Sequence, residues 1–164
     1  MRLNKIFVLI VSILSVTVIL SQVALADPGT AREWLPAAIK SAQSWKADAK
    51  LVQVTTLEAF ANGSAKRWSY IFFSESSKKG YKVHVREGKV GPNQALMPDV
   101  TLEVPLEFVD SSLAMEEAKR KGATSSDGIG MILQYSKQGL KEEGLYWNVT
   151  DLGTEQGVIL VKAR

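Results

Sequence analysis

Apolar and polar positions divide the chain into a leading hydrophobic run and two later stretches in which helical and strand periodicities follow each other. The run from Ile6 to Leu20 is interrupted only by Ser12, Ser15 and Thr17; Arg2 and Lys5 lie before it and Ala24-Leu25-Ala26 after it. A basic start, an apolar middle and small residues where signal peptidase grips the chain form the pattern of a secretory signal peptide, cleaved before Asp27. The alternative is an uncleaved anchor, because residues 6–26 are nearly long enough to cross a bilayer. Ser12, Ser15, Ser21 and Gln22 weigh against it, and no stop-transfer charge cluster follows. The expectation is export to the periplasm or the extracellular space, with no stable membrane span after cleavage.

Beyond the leader, Thr30-Ala31-Arg32-Glu33 fits a capping box, in which Thr bonds forward and Glu bonds back. Leu35, Ala38, Ile39, Ala42 and Trp45 then recur at helical spacing and predict a helix ending near Trp45 or Lys46, with Pro36 suited only to its first turn. Three strands are predicted next, over residues 50–57, 66–73 and 81–86. In the second, Trp68, Tyr70 and Phe72 alternate with Arg67, Ser69, Ile71 and Phe73; in the third, Tyr81, Val83 and Val85 alternate with Lys82, His84 and Arg86. Asn62-Gly63 and Lys79-Gly80 mark the turns between them. Val90 to Pro105, punctuated by Pro92, Pro98 and Pro105, reads as a connector with at most a short extended piece over Val100 to Val104. Asp110 or Ser111 caps a second helix running to Lys121 and stopped by Gly122. Strands over 130–136, 145–150 and 158–162 follow, with Gly139, Gly144, Gly153 and Gly157 at the turns.

The order therefore repeats as helix, three strands, connector, helix, three strands. Ala38-Ile39-Lys40-Ser41-Ala42 parallels Ala114-Met115-Glu116-Glu117-Ala118, and Trp68 lies 30 residues beyond Ala38 where Trp147 lies 33 beyond Ala114. Each tryptophan falls in the second strand of its half with an apolar residue two positions on, Tyr70 or Val149. A repeat of this period predicts two equivalent units and places both tryptophans in packed cores rather than in a stacking groove. Ile71 and Phe73, on the face opposite Trp68, are then expected to form the contact between the units, or an open patch if nothing covers them.

Composition changes the picture in two ways. The chain has no cysteine and a single histidine, His84; thiol catalysis, thiolate metal sites and a multi-histidine zinc site are excluded, and the core must be stable without disulfides. Loss of Arg2 and Lys5 with the leader also lowers the formal charge from +3 to +1, too small for attraction to a phosphate backbone, so nucleic acid is excluded as a partner. No metal or cofactor is expected.

With these elements in place, the chain resembles the PepSY family. The residues carrying the likeness are Ala38-Ile39-Lys40-Ser41-Ala42 through Asp48-Ala49-Lys50-Leu51-Val52, the Gly63-to-Trp68 turn with Tyr70, and Tyr81-Lys82-Val83-His84-Val85; Phe108-Val109-Asp110-Ser111 through Ala114 and Ala118 to Gly122 looks like a second, more divergent start. The second half departs from the pattern in its first strand, which carries Gly128 and Gly130, and in its last, which lacks an aromatic opener. The resemblance implies an α+β fold of two helix-plus-three-stranded antiparallel meander units: a signal peptide over 1–26, a first unit over 27–90, a connector over 91–107 and a second unit over 108–164. It implies no active-site motif. Such modules occur in the propeptides of thermolysin-like metallopeptidases, which they are thought to restrain, and alone in exported proteins.

Candidate chemistry is sparse. Adjacent pairs such as Glu116-Glu117 and Glu142-Glu143 point apart and make no acid–base couple, and there is no G-x-S-x-G elbow. Asn62-Gly63-Ser64 and Asn148-Val149-Thr150 match the N-glycosylation pattern, which has meaning only in a eukaryotic secretory pathway. The remaining candidate is the stripe Lys82, His84 and Arg86 with neighbouring Arg67, a basic sheet face for an anionic ligand or acidic partner; against it stands the ordinary solvated face of an antiparallel sheet. The expected function is non-catalytic binding, either of an exported protein such as a peptidase or of a small anion. The Pro-punctuated connector is a second candidate contact segment.

Overall fold

The computed structural model describes residues 27–97, 102–123, 128–136, 143–151 and 157–164. The leader, the turn glycines Gly139 and Gly153, Glu142 and the first part of the extended piece expected from Val100 lie outside them. Two helices, α1 (Leu35–Trp45) and α2 (Ser111–Arg120), accompany eight strands: β1 (Ala49–Ala59), β2 (Arg67–Ser74), β3 (Lys79–Arg86), β4 (Lys89–Val90), β5 (Gln94–Leu96), β6 (Ile129–Ser136), β7 (Gly144–Asp151) and β8 (Ile159–Lys162). The fold is α+β, and every strand pairing is antiparallel.

Local chemistry accounts for most boundaries. Thr30 and Glu33 form the reciprocal box, Glu33 N–H to Thr30 Oγ1 at 3.3 Å and Thr30 N–H to Glu33 Oε2 at 3.2 Å. That box closes a turn ahead of α1 rather than capping it; the helix starts at Leu35 with Trp34 at the N-cap position and no side-chain cap, and Pro36 sits in the first turn, where its missing N–H costs nothing. Asp110 does cap α2, accepting from Ser111 N–H at 2.7 Å. Lys119 and Arg120 occupy the last turn, where the helix dipole favours cations, and Gly122 follows at φ +106°. One turn lies elsewhere than expected: Lys79 and Gly80 are inside β3, and the reversal spans residues 75–78 with Lys78 at φ +53°. The Asp48 carboxylate organises it, accepting from Ser74 Oγ at 2.9 Å and Ser76 N–H at 2.8 Å, which holds its pKa below the usual carboxylate value. The stretch read as a connector contributes β5. With β4 it forms one interrupted edge strand along β3, broken at Gly91-Pro92-Asn93, and Gly91 N–H reaches His84 O at 2.8 Å across the gap.

The strands form one sheet in the order β4-β3-β2-β1-β6-β7-β8, with β5 also on β3. The two helix-plus-strand halves are therefore joined edge to edge through β1 and β6 (Val54 opposite Leu133, Thr55 opposite Ile132, Thr56 opposite Met131), not stacked face to face. This corrects the expectation that Ile71 and Phe73 form a contact between units. Pairing β1 with β6 satisfies two open strand edges at once and leaves Ile71 and Phe73 half-buried on a face that carries neither helix.

A single core fills the other face. One row across six strands, Val83, Tyr70, Val54, Leu133, Trp147 and Val161, is buried throughout. Leu35, Ala38 and Ala42 of α1 and Ala114, Met115 and Ala118 of α2 belong to the same cluster. Trp68 and Trp147 are both fully buried and meet edge to face at 6.0 Å, and Phe108 meets Trp147 at the same distance. Each indole N–H donates to a backbone carbonyl just ahead of a helix: Trp68 to Gly29 O at 2.9 Å and Trp147 to Val109 O at 2.7 Å. Residues 29–32 also tie the halves together. Ala31 N–H donates to Ser111 Oγ and Arg32 N–H to Asp110 Oδ1, both at 3.0 Å, while Ala31 O accepts from Tyr70 OH at 2.8 Å. Burial raises the Tyr70 pKa well above the phenol's ordinary value, so this donor stays protonated. Gly63, at φ +78°, lies so close to the Ser111 carbonyl that a Cβ there would collide with it.

Two stability outcomes follow from this packing. Trp68→Ala and Trp147→Ala each cost about 3–5 kcal/mol, the range for truncating a buried ring, in urea unfolding followed by circular dichroism. A change of less than about 1 kcal/mol at either site contradicts the shared core. Gly63→Ala is destabilising although it adds only one methyl at a turn, because it combines a strained φ with a backbone collision at a buried position.

Candidate functional site

The helix-free face is built by alternation. On β2 the residues opposite the core are Arg67, Ser69, Ile71 and Phe73, and on β3 they are Lys82, His84 and Arg86. On β1 a register slip between Leu51 and Gln53 resets the alternation, so that Leu51 and Val54 both face the core while Gln53, Thr55 and Leu57 share the open face. The strand pairings then line up one continuous row across both halves: His84, Ser69, Thr55, Ile132, Asn148 and Leu160. One step along the strands, the Gln53 side-chain amide donates to Gln134 Oε1 and fastens the two halves across this face.

The row runs through two open hollows. One, of about 330 Å³, is lined by Thr55, Leu57, Arg67, Ser69, Lys82 and His84. The other, of about 520 Å³, is lined by Ile132, Gln134, Asn148, Thr150, Val158 and Leu160, with Ser136 at its edge. At the strand spacing of about 4.8 Å, six positions in a row extend roughly 24 Å. The first hollow is cationic and the second is neutral, with apolar side chains beside amides and hydroxyls.

The sequence candidates separate on this map. Arg67, Lys82 and His84 converge on the first hollow. Arg86 does not line it; it lies directly opposite Arg67, a like-charged pair at the hollow's margin. The Glu58 carboxylate reaches Arg67 Nε at 3.3 Å, an exposed pair of small energetic weight. Neither Lys82 nor Arg86 has a carboxylate partner among the described residues. His84 Nδ1 lies 2.9 Å from Ser69 Oγ. Its pKa is lowered first by burial and then by the charges of Lys82 and Arg67, so the ring is neutral at neutral pH. The second hollow was not legible as a site, since Gln134, Asn148 and Thr150 come together only through the β6–β7 register. The former connector carries exposed apolar side chains at Met97, just past β5, and at Leu102, and neither lines the two hollows above.

Ser69 and His84 form a hydroxyl–imidazole pair, the first ingredient of a nucleophilic site. Both residues lie in mid-strand, Ser69 between Thr55 and His84, and the His84 carbonyl accepts from Gly91 N–H at 2.8 Å. Among the described residues no three His, Asp or Glu side chains lie close enough to share a cation.

The histidine permits a direct check. As the chain's sole histidine, His84 should titrate below 6.5 in a proton NMR titration of its ring. Lys82→Ala should raise the midpoint only partway, because burial, the larger cause, remains. The sign for stability follows: a histidine with a lowered folded-state pKa holds its proton less well folded than unfolded. Stability therefore falls as pH drops through 6.5 toward the folded value and is unaffected by this group above it. A midpoint at or above 6.5 contradicts the electrostatics of the hollow. Comparisons with family models, with curated proteins and with solved structures find no match to this chain.

Proposed function

We propose that this is an exported, non-catalytic binding protein built from two PepSY-like units, and that it docks a partner protein on the helix-free face of its sheet. The observation that carries the reading is the row from His84 to Leu160, which joins a cationic hollow to a neutral, partly apolar one across both halves. The docked surface is a protein loop or strand with acidic character at one end and apolar character at the other. Charge steers the approach and sets orientation, while burial of Ile132, Leu160, Ile71 and Phe73 supplies affinity that salt does not screen. A regulated or inhibited exported peptidase is one partner of this kind.

The unit repeat is supported by the matching indole-to-backbone bonds of Trp68 and Trp147 ahead of α1 and α2. Export is supported by the leader pattern alone. A second reading, a carrier for a small anion, is favoured by the first hollow taken by itself, with Lys82 lacking a carboxylate partner among the described residues.

Two outcomes are expected. The exported form begins at Asp27 on N-terminal sequencing, and Ala26→Lys blocks that processing; recovery of exported protein beginning at Met1 contradicts cleavage. The triple change Lys82→Ala, His84→Ala, Arg86→Ala folds normally, since Arg86 is exposed and Lys82 and His84 are half-buried on the open face outside the core, where a substitution usually shifts stability by about 0.5 kcal/mol or less. It weakens binding of a partner isolated from the extracytoplasmic compartment by roughly tenfold or more at low ionic strength, and by less at high ionic strength. Affinity unchanged at both ionic strengths removes the basic end from the docking surface. Loss of a small anion's binding with partner affinity unchanged selects the carrier reading.

A further inference from the structure

We infer that the hollow between β1, β2 and β3 is an oxyanion site that seats one carboxylate, an acidic side chain of the docked protein, and that His84 takes up a proton when the site fills. The inference rests on the docking role of the helix-free face and assigns chemistry to one end of it.

Five groups on three strands converge there: the Thr55 hydroxyl from β1, Ser69 and Arg67 from β2, and Lys82 and His84 from β3. Thr55, Ser69 and His84 lie directly across from one another, which places two hydroxyls and an imidazole in one line between two cations. Hydroxyls can turn their protons toward an anion, and a protonated imidazole donates from both nitrogens. With Nδ1 held 2.9 Å from Ser69 Oγ, the remaining nitrogen is the one available to the ligand. The charges at the hollow's margin are Glu58 near the end of β1, which engages Arg67, and Arg86 on β3, opposite Arg67; neither lines it. Both helices pack on the other side of the sheet and contribute no charge.

The charge balance selects the ligand. Among the groups that line the hollow, His84 is neutral before binding, Arg67 is partly satisfied by Glu58, and Lys82 has no carboxylate partner among the described residues, so about one positive charge is uncompensated inside it, with Arg86 outside at its margin. That matches a carboxylate; a phosphate monoester brings nearly two negative charges. Once an anion sits beside the ring, it opposes the repulsion from Lys82 and Arg67 and favours the imidazolium, as an opposite charge within a few ångströms does. Binding and protonation are then linked, and each strengthens the other.

The test uses the whole mature protein, with His84 as its own reporter. Its ring titration is followed by NMR in sodium acetate and in sodium chloride of equal ionic strength, with inorganic phosphate as a third arm. Acetate is expected to raise the His84 midpoint by about one unit as it saturates. Its apparent affinity should rise as pH falls between the bound and free midpoints, by at most about tenfold per pH unit for one linked proton. Lys82→Ala and the nearly isosteric Ser69→Ala reduce the shift, and Glu58→Gln enlarges it. Identical midpoints in acetate and chloride overturn the inference, and a shift in phosphate with none in acetate overturns the assignment to a carboxylate. Partner affinity that survives while the acetate shift is absent leaves the docking face standing and removes only this site; an acetate shift present in the unaltered protein, with partner affinity unchanged by Lys82→Ala and Ser69→Ala, does the reverse.

Discussion

The pairing of β1 with β6 is the constraint on which the remaining structure depends. Each half alone is a three-stranded meander with a helix on one face, and its first strand ends in an open edge. Joining the two first strands consumes both edges and brings Trp68 within 6.0 Å of Trp147. Edge-to-face contact between such rings adds roughly 0.5–1.5 kcal/mol beyond the area they bury. The same pairing forces both helices onto one side, because the buried row Val83, Tyr70, Val54, Leu133, Trp147, Val161 keeps a single parity across all six strands. Among the described residues, the opposite parity carries neither helix over its whole width.

The segment ahead of α1 makes this arrangement cooperative. Gly29 O and Val109 O each accept an indole N–H, so neither buried ring carries an unsatisfied donor, whose cost is about 1–3 kcal/mol. Ala31 and Arg32 of the first half donate to Ser111 and Asp110 at the start of α2, and Gly63 admits the Ser111 carbonyl at contact distance. Asp110 thereby caps α2 and anchors residue 32 with the same oxygen. A loss at that carboxylate is felt in both halves, although the residue looks from sequence like an ordinary helix cap.

Local chemistry was legible where period and punctuation agree. Tyr81-Val83-Val85 against Lys82-His84-Arg86 placed the basic stripe on one face, and Asp110 and Gly122 bounded α2. What could not be read is non-local. Ile71 and Phe73 make β2 apolar on both sides, which resembles a strand buried twice, and only the edge-to-edge joint shows that one side is open. The slip at Val52 breaks the period on β1, so Thr55 cannot be assigned to a face by counting from Leu51. The Lys78 turn depends on Asp48, whose contacts lie across the β1–β2 hairpin. The second hollow depends on β6 and β7 registers that no local motif encodes.

The two ends of the open row obey different physics, and that difference decides how a docked partner would be held. A charge pair at about 4 Å contributes between 1 and 4 kcal/mol as the effective dielectric falls from that of water toward 20. At physiological salt such a field decays over about 8 Å. Lys82 and His84 therefore act on a partner's orientation and approach within a short reach of β3. They have little influence at Leu160 on β8, five strands from His84 on β3 and at the far end of the row. At that end contact must come from burial of Ile132, Val158 and Leu160 around the amides of Gln134 and Asn148, at about 25 cal/mol per Å² of apolar surface removed from water. This contribution is nearly insensitive to salt. A surface composed in this way discriminates by orientation: a partner reversed along the row would set apolar groups against Lys82 and a carboxylate against Leu160, losing the charge term and desolvating an unpaired anion. The arrangement of charge at one end of a single row thus supplies polarity as well as attraction, and it does so only because the β1–β6 joint makes the row continuous.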